Sequence, residues 1–293
     1  MNYPEYRDLA ERIRGRATRD GAGVRLTRII GGGDLRRFDP FLMLDRFDSL
    51  NPDDFIAGFP PHPHRGFETI TLMFAGRMEH EDHLGHRGLI GTDGMQWMTA
   101  ARGIIHSEMP KVDTTHMSGV QLWLNLPAAA KMGPAAYRDY DASEIPECVT
   151  GHGVRVRVLA GEFHEGSLQC TGVVCRPHTC PQILDLQMPA GSCVQPEISR
   201  DLQAMLLPLS GELTLQGSGA HRLQPDELAL LGQGDRLHLQ AGSDSRVLLL
   251  AGRPLHEPIV QYGPFVMNTA EQIHQAVRDY QAGAFAAAAV RAL

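Results

Sequence analysis

Phe59-Pro60-Pro61-His62-Pro63-His64-Arg65-Gly66-Phe67-Glu68-Thr69 is the stretch whose reading decides the fold of this chain. An extended chain repeats its side-chain direction every second residue, so His62 and His64 share a face. The same spacing returns in Gly103-Ile104-Ile105-His106-Ser107-Glu108, where His106 and Glu108 share one. If two such strands neighbour one another in a barrel, three imidazoles and one carboxylate converge, with Cα spacings of roughly 6.5 Å within each pair. One pair alone carries little weight, since alternate histidines arise by chance and hydrogen-bond in loops. A second pair that includes a carboxylate, flanked by a glycine and an apolar run, points to a metal site.

Three neutral imidazoles and one carboxylate leave two positions free on an octahedral ion. This mixed nitrogen and oxygen set suits Fe(II), with Mn, Ni, Co or Cu as alternative occupants. Two adjacent free positions let a substrate oxygen and dioxygen bind side by side. Glu68 stands at even spacing from His64, so it could replace Glu108 as the carboxylate ligand or hydrogen-bond a ligand from outside the donor set.

Working outward, Ile70, Leu72 and Phe74 fall on the parity of His62 and His64, with Thr69 and Thr71 opposite, which predicts an apolar wall beside the metal. Residues 77–83 read as a charged strand, and alternation splits its titratable run, His80 and Asp82 to one side, Glu81 and His83 to the other. That split favours a solvated strand over a second metal cluster. Val24–Ile29, Asp39–Asp45 and Val120–Leu126 are further strands, and Gly31-Gly32-Gly33 is a turn, because neither phosphate-loop spacing nor a following amphipathic helix is present. Short strands separated by glycine turns predict an all-β barrel or sandwich.

From about residue 150 a similar grammar returns. Aligning Phe74-Ala75-Gly76 on Leu209-Ser210-Gly211 makes the chain a divergent internal repeat, in which His62 and His64 fall on Glu197 and Ser199. The second half thus reads as a barrel without the ligands, and one metal per chain is expected. The end changes character. Thr269 and Gln272 form a capping-box pattern, Ile273, Ala276, Val277 and Tyr280 recur at helical spacing, and Gly283 suits a C-cap, while the alanine-rich tail reads as a last helical turn or a frayed end.

Composition narrows the classes of function. The chain has 293 residues and a net charge of -7, and its only basic cluster is Arg12, Arg14, Arg16 and Arg19, which disfavours autonomous DNA binding. The five cysteines, Cys148, Cys170, Cys175, Cys180 and Cys193, contain no Cys-x-x-Cys and suggest neither a disulfide framework nor a zinc knuckle. No signal-peptide h-region and no membrane-length apolar run is seen, so a cytoplasmic protein is expected.

Asp39-Pro40-Phe41-Leu42-Met43-Leu44-Asp45, Pro61-His62-Pro63-His64-Arg65-Gly66-Phe67-Glu68-Thr69, Gln96-Trp97-Met98-Thr99-Ala100, Gly103 to Glu108 and Gln121-Leu122-Trp123-Leu124-Asn125-Leu126-Pro127 resemble the signature stretches of the pirin family. These motifs are long and specific, dense from residue 38 to about 140 and weaker beyond. The resemblance implies a bicupin: two cupin-type β-barrels, residues 1–140 binding one iron and residues 141–293 without ligands, ending in a short helix. It places the ligands on His62, His64, His106 and Glu108, where most cupins would use the position of Glu68. His83, His86 and Ala101 depart from the usual pirin residues but lie outside this set. The family offers two functions. Some pirins are similar to quercetin 2,3-dioxygenase, which opens a flavonol with dioxygen; there Glu108 or Glu68 would take the hydroxyl proton. Others are iron-containing partners of a transcription factor or metabolic enzyme, without turnover. The enzyme is the preferred expectation, because an accessible mixed-ligand site is a chemical device and no docking patch stands out.

Overall fold

Two units built of antiparallel sheets make up the computed structural model, which describes residues 5–33, 35–285 and 290–292. One unit comprises residues 16–143 and 255–293, the other residues 1–15 and 144–254. Strand β1 (Leu9–Arg14) pairs with Glu227–Leu231, so the N-terminus joins the unit drawn mostly from the second half. Arg7 anchors it there. Its buried guanidinium donates to the carbonyls of Gly232, Ser199 and Leu202, bonds that a charged donor makes stronger than neutral ones.

The unit that carries the histidines contains β2 (Arg16–Asp20), β3 (Val24–Ile30), β4 (Phe41–Ser49), β5 (Phe59–His64), β6 (Phe67–Ala75), β7 (Met78–Asp82), β8 (Arg87–Ile90), β9 (Met95–Thr99), β10 (Ile104–Pro110), β11 (Met117–Asn125) and β12 (Ala135–Tyr140). One sheet runs β2-β3-β4-β11-β6-β9-β12 and the other β5-β10-β7-β8. Between them lies an apolar cluster that includes Phe47, Met73, Met78 and Ile90. The large sheet is buried on both faces along β6, where Ile70, Leu72 and Met73 are all within 2% of full burial.

The other unit repeats this order. Its large sheet runs β1, Glu227–Leu231, Gln203–Ser210, Ser245–Gly252, Gln182–Met188, Arg155–Ala160, Glu147–Val149. Its small sheet runs Cys193–Val194, Leu239–Ala241, Leu213–Gln216, Ala220–Leu223. Gln203–Ser210 therefore stands where β6 stands, as the internal repeat requires. Val156, Leu184, Leu206, Leu239 and Leu249 close this interior with aliphatic side chains.

Helix α1 (Ala270–Gln281) begins as its sequence predicts. Thr269 accepts from the Gln272 amide and the Gln272 side chain answers at the N-cap, a reciprocal pair that satisfies the open first turn. Ile273 and Ala276 turn inward onto Phe265, Met267 and Phe285. The described part of the tail departs from the expected last helical turn, because Val290–Ala292 is a strand lying parallel to β12. Residues 286–289 and 293 of that tail lie outside the described residues.

Gly66 reverses a second expectation. At φ +93° it ends β5 and lets the chain re-enter as β6 in the other sheet, and a Cβ there would run into the Val266 carbonyl oxygen. Alternation does not carry across such a break. On β6 it is Phe67 and Thr71 that face the histidines, Phe67 against the His64 ring and Thr71 against Glu108. Ile70 and Leu72 point the other way, so the wall predicted from them is not beside the histidine cluster.

Candidate metal centre

β5 and β10 are antiparallel, with His106 directly opposite His62 and Ile104 opposite His64. Opposed residues point to one side, so the two strands bring three imidazoles to a single place. Pro60, Pro61 and Pro63 cannot donate to a ladder, which suits β5 to the edge of the small sheet, where it lies. Past His106 the register slips by one residue, leaving Glu108 opposite Phe59. Such a bulge re-aims the side chain beyond it.

One ring nitrogen each of His62, His64 and His106 lies within 4.8 Å of the other two, and among the described residues no other group of three or more histidines, cysteines or carboxylates meets this condition. His62 Nε2 is 3.0 Å from His64 Nε2, while His62 Nδ1 lies 2.8 Å from the Pro60 carbonyl. A proton on Nδ1 for that carbonyl leaves Nε2 as a bare lone pair, the form a metal needs. Burial pushes the pKa of His64 and of His106 well below 6.5, with neighbouring imidazoles adding to the effect. Both rings are thus held neutral. Both nitrogens of His106 are buried with no hydrogen-bond partner, a costly arrangement for a native protein unless something else satisfies them. Converging imidazoles, one of them with both nitrogens unpartnered, fit a divalent cation.

Glu108 lies next along β10 and is fully buried. Its carboxylate accepts from Thr71 Oγ1 at 3.1 Å and from Gln121 Nε2 at 3.1 and 2.9 Å, so its orientation is set from β6 and β11. Burial raises its pKa, against the opposing pull of His62, Gln121 and Thr71. Glu68 is placed elsewhere. It lies on the opposite face of β6 from Phe67 and Thr71, where it accepts from Thr99 Oγ1 at 2.6 Å. Glu108 shares a face of β10 with His106, while the converging group of three ring nitrogens includes neither carboxylate and Glu68 faces away.

Sequence reasoning misses His80. Its strand reads as solvated, yet His80 and Asp82 are buried while Glu79 and Glu81 pair outside with Lys111 and Arg87. Met78, on the same face of β7 as His80 and Asp82, packs with Phe47 and Met73 of the large sheet, so that face is the covered one. The His80 ring centroid is 5.0 Å from that of His106, and burial lowers its pKa to about 4.

A cavity of about 400 Å³ opens onto His62 and His64, with Met43, Phe59, Gln121 and Trp123 among its walls. Trp123 stacks on Phe67, ring centroids 4.2 Å apart, and its buried indole N–H finds no acceptor among the described residues. The cavity therefore sets aromatic side chains beside two of the three imidazoles.

Comparisons with known proteins agree with this arrangement. Residues 23–124 match the Pirin family model and residues 183–286 match the Pirin C-terminal cupin domain. A Pseudomonas aeruginosa protein named "Putative quercetin 2,3-dioxygenase" is 54% identical over 96% of this chain and 99% of its own length. Human pirin is 38% identical over 89% of this chain and 88% of its own. The crystal structure of a quercetin 2,3-dioxygenase from Acinetobacter baumannii superposes with a TM-score of 0.86 at 30% identity, covering 96% of this chain and 98% of that one.

Proposed function

The chain belongs to the pirin family, and from that premise we propose that it is a metal-dependent dioxygenase that opens a flavonol, with Fe(II) held by His62, His64, His106 and Glu108. The observation that carries this reading is the cluster of three imidazoles at the wall of a cavity with an aromatic side. About 400 Å³ is a fitting size for a small flat molecule. The relatives and the structural neighbour named as quercetin 2,3-dioxygenases support the substrate class.

When bound, a redox-active divalent ion supplies Lewis acidity toward a substrate oxygen and an electron partner for dioxygen. The residues do the rest. Trp123 would offer ring surface to an aromatic substrate. Glu108 would hold the ion through a carboxylate oxygen and would take the hydroxyl proton. Gln121 and Thr71 keep that carboxylate from turning away. Glu68, facing the other side of β6, takes no part.

Loading the protein anaerobically with Fe(II), then adding quercetin and dioxygen, should give loss of flavonol absorbance that requires both metal and oxygen. Trp123→Ala should raise KM more than it lowers kcat, whereas Ile70→Ala should leave the kinetics close to native in any variant that folds. A metal-loaded protein that binds no flavonol and consumes no oxygen, while recovering a cellular protein partner only when iron is present, would establish the iron-dependent regulator instead.

The two carboxylates give a second prediction. Glu108→Ala should weaken metal binding by more than 100-fold, beyond the roughly 10- to 100-fold usual for loss of an outer partner. Glu68→Ala should leave affinity nearly native. Equal occupancy in Glu108→Ala, with an empty site in Glu68→Ala, would reverse the assignment.

A further inference from the structure

We propose, resting on the metal site assigned above, that His80 is the outer hydrogen-bond partner of His106 and so a positioning residue for the metal. An imidazole that gives one nitrogen to a metal carries N–H on the other, and an acceptor for that N–H fixes the ring's tautomer and direction. His62 has such an acceptor in the Pro60 carbonyl at 2.8 Å. The Pro264 carbonyl faces His64, short of a full hydrogen bond. His106 has none, because both of its nitrogens are buried without a partner, so whichever one takes the metal leaves the other stranded.

The residue directly opposite His106 on β7 is Asp82, the ordinary choice for this task. Asp82 is already committed. Its Oδ1 accepts from the amides of Leu84 and His86, and its Oδ2 lies 2.8 Å from His86 Nδ1. His80, two residues earlier on the same face of β7, is fully buried, and both its nitrogens also lack hydrogen-bond partners. The two rings lie 5.0 Å apart between centroids, inclined at 56°. Four ring nitrogens without partners thus sit on two adjacent buried rings. One N–H from His106 to His80, made by a small ring rotation or through one water, satisfies a nitrogen of each. The other side of His80 meets the Tyr137 ring edge to face at 4.6 Å, which holds its plane.

The apo forms of native protein, His80→Phe, His80→Asn and His80→Gln should be titrated with Co(II), with affinity read by chelator competition and the visible spectrum recorded. Native protein should bind the ion. His80→Phe should bind about 10- to 100-fold more weakly, with a shifted ligand-field spectrum. His80→Asn or His80→Gln, which restore an acceptor oxygen, should recover most of the affinity and the native spectrum. His80→Leu repeats the test if the phenylalanine variant does not fold. Native affinity and spectrum in the apolar variant overturn the proposal. So does equal weakening in all variants with an unchanged spectrum, which is the mark of packing alone. Native protein that takes up no Co(II) refutes the metal site itself, a different result from either.

Discussion

His106→Ala should leave a folded protein that has lost its metal and, with it, all flavonol turnover. Native protein should hold about one divalent ion per chain, since among the described residues one group of three ligating side chains converges and the sequence repeat aligns Glu197 and Ser199 with His62 and His64. His106 sits between the other two rings, 4.5 Å from His62 and 5.0 Å from His64 between centroids, so its loss removes the donor that closes the cluster. Elemental analysis should show occupancy falling to a background level in His106→Ala and in the double variant His62→Ala, His64→Ala. Two tightly bound ions in the native protein, or one ion surviving the double substitution, would sink the assignment. Folding should suffer far less than binding. The substitution deletes two buried nitrogens that have no hydrogen-bond partner, and removing such groups is close to neutral apart from the small cavity left behind.

Lys131→Met should be the most damaging single change to stability outside the cluster. Lys131 is 1% exposed, and its Nζ donates to the Gly66 carbonyl at 2.6 Å, Asn125 Oδ1 at 2.6 Å and the Val266 carbonyl at 3.1 Å. One ammonium thereby ties the break between β5 and β6 to the end of β11 and to the strand Phe265–Met267. Methionine fills the space but withdraws the donor from all three acceptors, of which Asn125 Oδ1 keeps the Leu126 amide, at a cost of roughly 3–5 kcal/mol, a fall in melting temperature on the order of 10 °C. A shift below about 2 °C would show that the three acceptors find other partners.

The pH dependence of this variant has a definite sign. Burial pushes the Lys131 pKa down to about 7 from 10.5. Below about pH 7 the amine is charged in folded and unfolded chains alike. Between that pH and 10.5 the unfolded chain keeps the proton that the folded chain has released, so native stability rises with pH across this window. The gap between native protein and Lys131→Met should therefore widen from pH 7 toward about pH 10, as paired denaturant titrations would show.

The strand grammar, the internal repeat, the capped helix and the gathering of His62, His64 and His106 are all legible along the chain, and for one reason. Each rests on a period of two, on helical spacing, or on a cap a few residues long, and these are local properties of the backbone. Inferences that carry a local period across a break fail. Parity counted from His64 through Gly66 places Ile70 and Leu72 beside the histidines, but a glycine at φ +93° restarts the strand in another sheet and turns Thr71 inward. The same reversal moves Glu68 away from the cluster. Parity on β7 holds, yet which of its two faces is covered depends on neighbours that the strand itself does not name, and so alternation alone leaves His80 on a strand that reads as solvated.

The sequence by itself determined that the chain folds as strands, that its two halves share one plan, and that only the first half carries a set of metal donors. Tertiary structure alone shows what orients Glu108, because Thr71 and Gln121, on two other strands, donate to its carboxylate. It also decided that residues 1–15 join 144–254 while 255–293 join 16–143. That exchange rests on a buried guanidinium at Arg7 and a buried ammonium at Lys131, each satisfied by oxygens far away in sequence. No local period records such partners, since desolvating a charge selects for whatever acceptors the folded chain brings within reach.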